Sequence, residues 1–162
     1  MALTLEDGQR VWLKVDAYLS SHDEGTASPA AVEAFRGLKA WMVSQRGNPS
    51  LQFVPYSTTN IGTGTDGYNL TVVGRVYGWY GKNPGQSTGT DSYVTLHNAA
   101  DNASVPFLTN LIQDDNDEFA NIYPRGIVFG TDITISGATT AGGTTESALV
   151  DTADGFIIIG AA

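Results

Sequence analysis

Residues 119–143 read "FANIYPRGIVFGTDITISGATTAGG", and this stretch decides how the rest of the chain is interpreted. Apolar and polar side chains alternate along it, which is the pattern of a half-buried β-strand. On an extended chain, one face would carry Ile127, Phe129, Ile133 and Ile135, and the other Asp132, Thr134 and Ser136. Threonine and glycine then take over, so we expect such strands to be joined by small polar loops.

The composition agrees with a β-rich protein and limits the partners. The chain has 162 residues, enough for one domain with a real core or one domain with an appendage. Charged residues make up 15% of it, below the usual quarter. Eight Lys and Arg against 17 Asp and Glu leave a net charge of −9. This argues against nucleic acid as a partner, because binding to phosphates needs clustered cations.

The sequence also indicates where the protein folds. It has no cysteine, so disulfides and thiolate metal sites are not expected, and folding in a reducing cytoplasm is favoured. The first residues, "MALTLEDGQRVWLK", lack the apolar run of a signal peptide, and no other apolar run is long enough to cross a bilayer. We therefore expect a soluble protein without a membrane partner.

Charged residues and glycines are unevenly distributed, and their distribution divides the chain into two parts. Residues 1–50 hold five basic and six acidic side chains, whereas residues 51–162 hold three basic and eleven acidic ones and fifteen of the nineteen glycines. We predict a helical N-terminal arm of two helices over 1–50 and an all-β body over 51–162. The predicted fold class is mainly β: an antiparallel, jelly-roll-like β-sandwich with a short helical arm.

Capping residues and apolar spacing define the two helices of the arm. The expected N-cap of the first is Thr4. In the second, Ser28 is the expected N-cap, Pro29 the first helical residue and Gly47 the stop. Their apolar stripes consist of Trp12, Val15, Tyr18 and Leu19 in the first helix and of Phe35, Leu38 and Met42, with Trp41 beside them, in the second. We expect the stripes to pack on each other or on the β body; the alternative is that one stripe is left for a partner.

Two strands carry the residues that we predict at an interface. In "YNLTVVGRVYGWYG", residues 68–81, strict alternation directs Leu70, Val72, Val76 and Tyr80 to one face and Thr71, Arg75, Tyr77 and Trp79 to the other. "GFIIIGAA", residues 155–162, is apolar on both faces, so it is either a central core strand or one covered by a neighbouring subunit. Since aromatic and arginine side chains dominate interface centres, the predicted interface residues are Arg75, Tyr77, Trp79, Phe156, Ile157, Ile158 and Ile159. The alternative for Trp79 is packing under the helical arm.

Two glycine motifs match enzyme patterns but lack the context that these patterns need. "GTGTDG", residues 62–67, fits the dinucleotide fingerprint, yet a strand rather than a helix follows it. "GQSTG", residues 85–89, fits the nucleophile elbow, with Ser87, Asp91 and His97 in the chain order of a triad but confined to one hairpin. We expect both motifs to be turns, His97 to be an ordinary surface or interface residue, and the protein not to be an enzyme.

The acidic segment "DDNDE", residues 114–118, could supply oxygen ligands to Ca²⁺. It lacks the central glycine and the distant glutamate of an EF-hand loop, so a solvated loop is favoured and no metal or cofactor is predicted. Paired carboxylates of a glycoside hydrolase need only meet in space, and they stay open. Trp79 and Tyr80 keep a contact with carbohydrate open as well.

Four segments in the second part resemble, in the same order, a module that recurs in tailed-phage virion proteins. They are "RVYGWYGKNPG", "YVTLHNAADNASVPFLTNLI", "YPRGIVFGTDITISGATTAGGT" and "DGFIIIGA", and the resemblance covers residues 70–162. Ala99 stands where the module usually has lysine, and Asp132 where it has glycine. The resemblance implies a jelly-roll-like head decoration (cement) protein or a minor virion protein, with no catalytic residues.

The functional expectation follows from this resemblance. It implies a structural protein on the surface of the virion head, assembled in the host cytoplasm, whose partner is the major capsid protein and which forms a homotrimer at a lattice symmetry axis. The alternative is a tail or fibre-associated module that recognises bacterial surface glycan through Trp79 and its neighbours. An enzyme is the third interpretation.

Overall fold

The computed structural model describes residues 3–21, 27–57, 61, 67–83, 92–112, 117–138 and 154–162. Within them the chain forms two helices, α1 (Gly8–Ser21) and α2 (Pro29–Arg46). The strands are β1 (Gln52–Tyr56), β2 (Tyr68–Asn69), β3 (Gly74–Lys82), β4 (Ser92–His97), β5 (Leu108–Ile112), β6 (Glu118–Phe129), β7 (Thr134–Ala138) and β8 (Asp154–Gly160). They form two four-stranded sheets, with the order β1-β8-β3-β6 in the first and β2-β7-β4-β5 in the second.

The strand pairs show how the chain is wound into these sheets. The first strand pairs with the eighth, the second with the seventh, the third with the sixth and the fourth with the fifth, always antiparallel. The chain is thus an antiparallel ribbon that runs out along four strands and returns along the other four. Rolling the ribbon places β8 against β3 and β7 against β4, as in a jelly roll. The predicted fold class, an antiparallel β-sandwich with N-terminal helices, is confirmed.

The helices form a third layer on the outer face of the first sheet, so β8 is buried on both faces. Ile157 and Ile159 point into the core between the two sheets, whereas Phe156 and Ile158 point towards the helices. Each face of this strand needs a cover, which explains its uninterrupted apolar sequence. Of the two explanations offered by the sequence, a central core strand is correct, and no neighbouring subunit is needed to cover it.

Phe156 joins four elements in one aromatic cluster. Its ring centroid lies 5.1 Å from that of Tyr18 on α1 and 5.0 Å from that of Phe35 on α2. The centroids of Phe53 on β1 and Tyr80 on β3 lie 5.1 Å and 5.4 Å away. Aromatic pairs at such distances stabilise a core beyond the area that they bury. The apolar stripes of both helices therefore pack on the β body, as expected.

The second helix begins and ends where its capping residues predict. The hydroxyl of Ser28 accepts a hydrogen bond from the backbone N–H of Ala31 at 3.2 Å, and Pro29 is the first helical residue. Gly47 follows the last helical residue with a φ of 72°, a backbone conformation that glycine adopts without strain. Among the described residues, no helix is long and apolar enough to span a membrane.

The first helix begins later than predicted. It starts at Gly8 because the carboxylate of Asp7 accepts a hydrogen bond from the backbone N–H of Gln9 at 2.8 Å. Asp7 is therefore the N-cap, and Thr4 is not. The backbone N–H of Thr4 instead donates to the side-chain carbonyl of Gln52, which ties the N-terminal segment to β1.

The stretch of residues 119–143 is not one strand. β6 ends at Phe129, the chain turns at Gly130, and β7 begins at Thr134 in the other sheet; residues 139–143 lie outside the described part. The four apolar side chains of the predicted face nevertheless all pack against the core between the sheets. Alternation thus predicted their burial correctly, but it did not show the turn at which the chain crosses from one sheet to the other.

A β-bulge at Tyr77 changes the predicted faces of β3. The register with both neighbouring strands shifts between Val76 and Gly78. Val76 and Trp79 therefore point into the core between the sheets, whereas Tyr77 and Tyr80 point towards the helices. Strict alternation had paired Val76 with Tyr80 and Tyr77 with Trp79. One extra residue reverses the alternation from that point on.

Replacing Phe156 by alanine should destabilise the protein by about 3–5 kcal/mol, because the cavity would lie where α1, α2, β1 and β3 meet. Urea unfolding measures this change. Phe107→Ala is the matched control: Phe107 is 50% exposed, so its loss should cost at most about 1.5 kcal/mol. Equal losses in the two variants would contradict the central role of Phe156.

Candidate functional site

Most of the predicted interface residues are buried inside the single chain. Trp79, Phe156, Ile157, Ile158 and Ile159 are all 0% exposed. The second sheet or the helices of the same chain cover them, so they offer no surface to another molecule, and their assignment to an interface is corrected. Trp79 is likewise not a sugar contact. It packs between the two sheets and not under the helices, so the alternative was wrong as well.

Trp79 instead takes part in a buried hydrogen-bond chain. Its indole N–H donates to the phenol oxygen of Tyr56 at 3.2 Å, and that hydroxyl donates to the backbone carbonyl of Tyr80 at 2.7 Å. Burial raises the pKa of Tyr56 well above its ordinary value, so the phenol keeps its proton. These two hydrogen bonds satisfy the polar atoms of the large core side chains Trp79 and Tyr56, so their role is structural.

Tyr77, only 3% exposed, is buried within the chain as well, so its assignment to an interface is also corrected. It lies with the half-buried Arg75 beside a groove at the edge of the first sheet. The groove has a volume of about 460 Å³ and is lined by Trp41 of α2 and by residues 122–127 of β6. We call it the arginine–aromatic groove. It forms where the C-terminal half of α2 passes over β6, the edge strand of its sheet.

The backbone of the groove is irregular on both strands. β6 pairs with β3 up to Ile122 and again from Ile127, and the residues between them have no partner in the register. Pro124 lacks the N–H that a regular ladder would use. Gly126 has a φ of 72°, and a β-carbon on it would lie 2.8 Å from the ring of Tyr77. A glycine is therefore required for the close approach of the two strands at the groove.

One arginine lines the groove and two others contact residues in it or next to it. The guanidinium of Arg46 donates to the phenol oxygen of Tyr77 at 2.6 Å and lies 5.2 Å from the centroid of that ring and 6.0 Å from the ring of Trp41. Arg75 donates to the backbone carbonyl of Arg125 at 3.4 Å. Arg125 itself is exposed and lines the groove. Aromatic faces and hydrogen bonds thus hold guanidinium groups at a concave surface.

A second exposed feature is apolar and lies at the edge of the other sheet. Val105 is 76% exposed, Phe107 50% and Leu111 46%. Phe107 directly precedes β5 and Leu111 lies within it, and β5 pairs only with β4 within its sheet. Leu108 and Ile112 point inwards, so Leu111 between them points outwards. We call Val105, Phe107 and Leu111 the apolar edge. An edge strand with exposed apolar side chains is prone to contact another chain.

His97 is not the surface or interface residue that the sequence suggested, because it is 0% exposed. Its Nδ1 lies 2.9 Å from the backbone carbonyl of Ser104, so Nδ1 carries the proton and donates. Nε2 then accepts a hydroxyl hydrogen, from Thr95 at 2.9 Å or from Ser136 at 3.1 Å. The arrangement joins β4, β7 and the loop after β4, and neither His97 nor Ser136 opens to a surface where a substrate could bind.

The glycine and acidic motifs fall largely outside the described residues. This applies to residues 62–66, to all of 85–89 and to 114–116. Of the acidic segment, Glu118 is placed, and it is no member of a solvated loop: its carboxylate accepts hydrogen bonds from the backbone N–H of Ser28 at 3.2 Å and the phenol of Tyr80 at 3.0 Å. In the part of the chain that is described, no three His, Asp or Glu side chains lie together as a metal would require.

Comparison with known proteins leaves the site to be interpreted from its own geometry. No protein-family model matches the chain, and no curated protein and no solved structure matches it either.

The residues of the arginine–aromatic groove were missed at the sequence level, although one signal was present. Proline within a strand pattern marks an edge strand, and a glycine close to it marks a bulge. "YPRG", residues 123–126, has both, and Arg125 is one of three basic residues after residue 50. Trp41 gave no such signal, because it stands beside the apolar stripe of α2 like any half-buried helix residue.

Burial lowers the pKa of His97 below its ordinary value of about 6.5, against smaller opposing effects from the Ser104 carbonyl and Asp101. As the pH falls, His97 therefore takes up a proton in the unfolded chain before it does so in the folded one. The free energy of unfolding should be highest above about pH 6.5 and decrease as the pH drops below it. Melting temperatures measured between about pH 7.5 and 5 should fall more steeply for the wild type than for His97→Gln. Carboxylates titrate in both proteins alike, and parallel curves would show that His97 does not cause the dependence.

Proposed function

We propose that this protein is a structural protein of a tailed-phage virion, a head decoration (cement) protein that binds the major capsid lattice. The proposal combines the resemblance of residues 70–162 to a virion module with an exposed surface suited to docking. Jelly rolls occur in capsid proteins and in lectins, and a fold alone does not assign a function. The proposal therefore rests on particular segments and surfaces.

The order of the segments supports the resemblance. "YVTLHNAAD" supplies β4 and the loop after it, "PFLTNLI" supplies β5, and "GIVFGTDITISGATTAGG" begins in β6 and includes β7. "GFIIIGA" lies in β8. All four segments are thus strands of one rolled ribbon with their connections, and this agrees with the jelly-roll-like fold that the resemblance implies.

The apolar edge is the observation that carries the docking proposal. It consists of three side chains within seven consecutive residues at the edge of the second sheet, namely Val105, Phe107 and Leu111. They expose aliphatic and aromatic surface to solvent. Apolar patches of this kind usually mark contacts with other proteins. We assign the contact with the capsid to this edge, in place of the buried strand residues that the sequence suggested.

The homotrimer remains part of the proposal, but the terminal strand is no longer its contact surface. Because residues 156–159 are covered within the chain, the terminal strand does not need a neighbouring subunit. A trimer would instead be formed where a three-fold axis of the lattice brings three copies together. Light scattering on the free protein tests this, and a monomer that never associates on particles would contradict it.

Capsid binding can be measured with particles that lack the protein. Purified chain is incubated with such heads and sedimented, and the bound fraction is read from a gel. Val105→Glu places a charge on the apolar edge and should weaken binding at least about tenfold, since a disrupted interface centre costs about 2 kcal/mol or more.

Leu13→Glu is the matched control for this experiment. Leu13 is also highly exposed, at 62%, but it lies on α1, in the helical layer on the other side of the first sheet from the second sheet. This variant should bind like the wild type. If wild-type chain stays in the supernatant and is missing from purified virions, the virion proposal fails; if both variants bind equally well, the apolar edge is not the docking surface.

A further inference from the structure

Three grooves border α2 in the described part of the chain, and two of them share Arg36 and Lys39. The groove between the helices contains Lys39, whose ammonium group lies 3.6 Å from the carboxylate of Asp16, so part of its charge is already neutralised within the chain. The arginine–aromatic groove on the other side has no such pair. Among the described residues, Arg46, Arg75 and Arg125 form no ion pair with a carboxylate.

Among the described residues, six of the eight cations form no ion pair with a carboxylate, and what sets these three arginines apart is that they gather at one groove. Asp and Glu outnumber Lys and Arg by 17 to eight, so carboxylates are abundant, yet three of the eight cations gather at one groove without them. Arg46 is held in place by the phenol and ring of Tyr77 and by Trp41, while its side chain remains exposed. A positioned guanidinium with free N–H groups is suited to a carboxylate, which it can bind in a bidentate manner.

The walls of the groove are aromatic and apolar. Trp41 contributes a half-buried ring on the side of the helices and Pro124 contributes aliphatic surface, whereas Tyr123 and Ile127 line the groove but also pack against the core between the sheets. Burial raises the pKa of Tyr123, and its side chain already has a hydrogen bond with Asn121, so we assign its hydroxyl no part in binding. A ligand that fits this lining combines a carboxylate with a face that is apolar enough to pack on the indole of Trp41.

The backbone and the charge of the protein exclude two other kinds of ligand. A peptide that adds a strand needs a regular row of N–H and C=O groups, and this row is interrupted at Pro124 and Gly126. A nucleic acid carries a negative charge at every phosphate along its length. It would extend beyond the groove and be repelled by the acidic rest of the protein, whose net charge is −9. For a ligand with a single carboxylate, dissolved salt screens the repulsion from acidic side chains that are more than about 8 Å away.

We propose that the arginine–aromatic groove binds a carboxylate-bearing saccharide. Arg125, with Arg46 and Arg75 close by, binds the carboxylate, and the ring of Trp41 packs against the C–H face of the sugar. A volume of about 460 Å³ lies within the usual range of small-ligand sites, and it suits one or two sugar units. This inference does not depend on the place of the protein in a virion.

The test is calorimetric titration of the whole chain with two acidic sugars and their neutral counterparts. The acidic probes are digalacturonate and sialyllactose; the neutral ones are the methyl diester of digalacturonate and lactose. We expect saturable binding of at least one acidic sugar and binding at least about tenfold weaker for its neutral counterpart, as expected for the loss of a charge-assisted contact.

Arg125→Gln and Arg10→Gln form a matched pair, since each removes one positive charge from an exposed arginine, inside and outside the groove respectively. Arg125→Gln should weaken the binding of the acidic sugar at least about tenfold, and Arg10→Gln should leave it unchanged. Failure of both acidic sugars to bind, or equal weakening by the two variants, would overturn the proposal. A tetraglutamate peptide that binds where the sugars do not would show that the groove accepts acidic peptides instead.

Discussion

The aromatic contact between Phe156 and the rings around it determines how the three layers are held together. Phe156 is surrounded by rings from α1, α2, β1 and β3, while its neighbour Ile157 faces the second sheet. Each such side chain contributes about 1.5–3 kcal/mol when it is fully buried. A strand that is apolar on both faces can be stable only if both faces are covered. The helices are therefore one layer of a common core rather than an arm attached to a finished sandwich.

The same requirement explains which parts of the structure could be predicted from sequence. Alternation identified the buried side chains Phe129 and Ile135, and Ser28 with Pro29 located the start of α2, because these signals depend on local geometry alone. The sandwich followed from many short alternating segments separated by glycine. Whether the cover of β8 comes from a helix or from a second subunit is a tertiary question, and periodicity does not contain the answer.

Positions where a local rule is broken account for the remaining errors. The bulge at Tyr77 puts Trp79 into the core and Tyr80 under the helices, so a surface prediction based on strict alternation named buried residues. His97 was misplaced for a related reason: a polar side chain in a strand suggests exposure, but the carbonyl of Ser104 and nearby hydroxyls satisfy it in the interior. Neither the bulge nor these partners can be recognised from the spacing of residues within one strand.

The arginine–aromatic groove occurs at this same irregularity, and this follows from the way a sheet is built. Regular strands must alternate and bury one face, so they leave few side chains for recognition. Where Tyr77 is inserted and residues 123–126 leave the ladder, the regular pairing is interrupted beside α2 and polar side chains can converge on a concave surface. Pro124 lacks the N–H of a regular ladder, and Gly126 allows the two strands to stay close without it. Because the pairing of β6 with β3 resumes on both sides of the irregularity, residues such as Arg125 can change without altering the rolled ribbon, and the choice of ligand is separated from the stability of the fold.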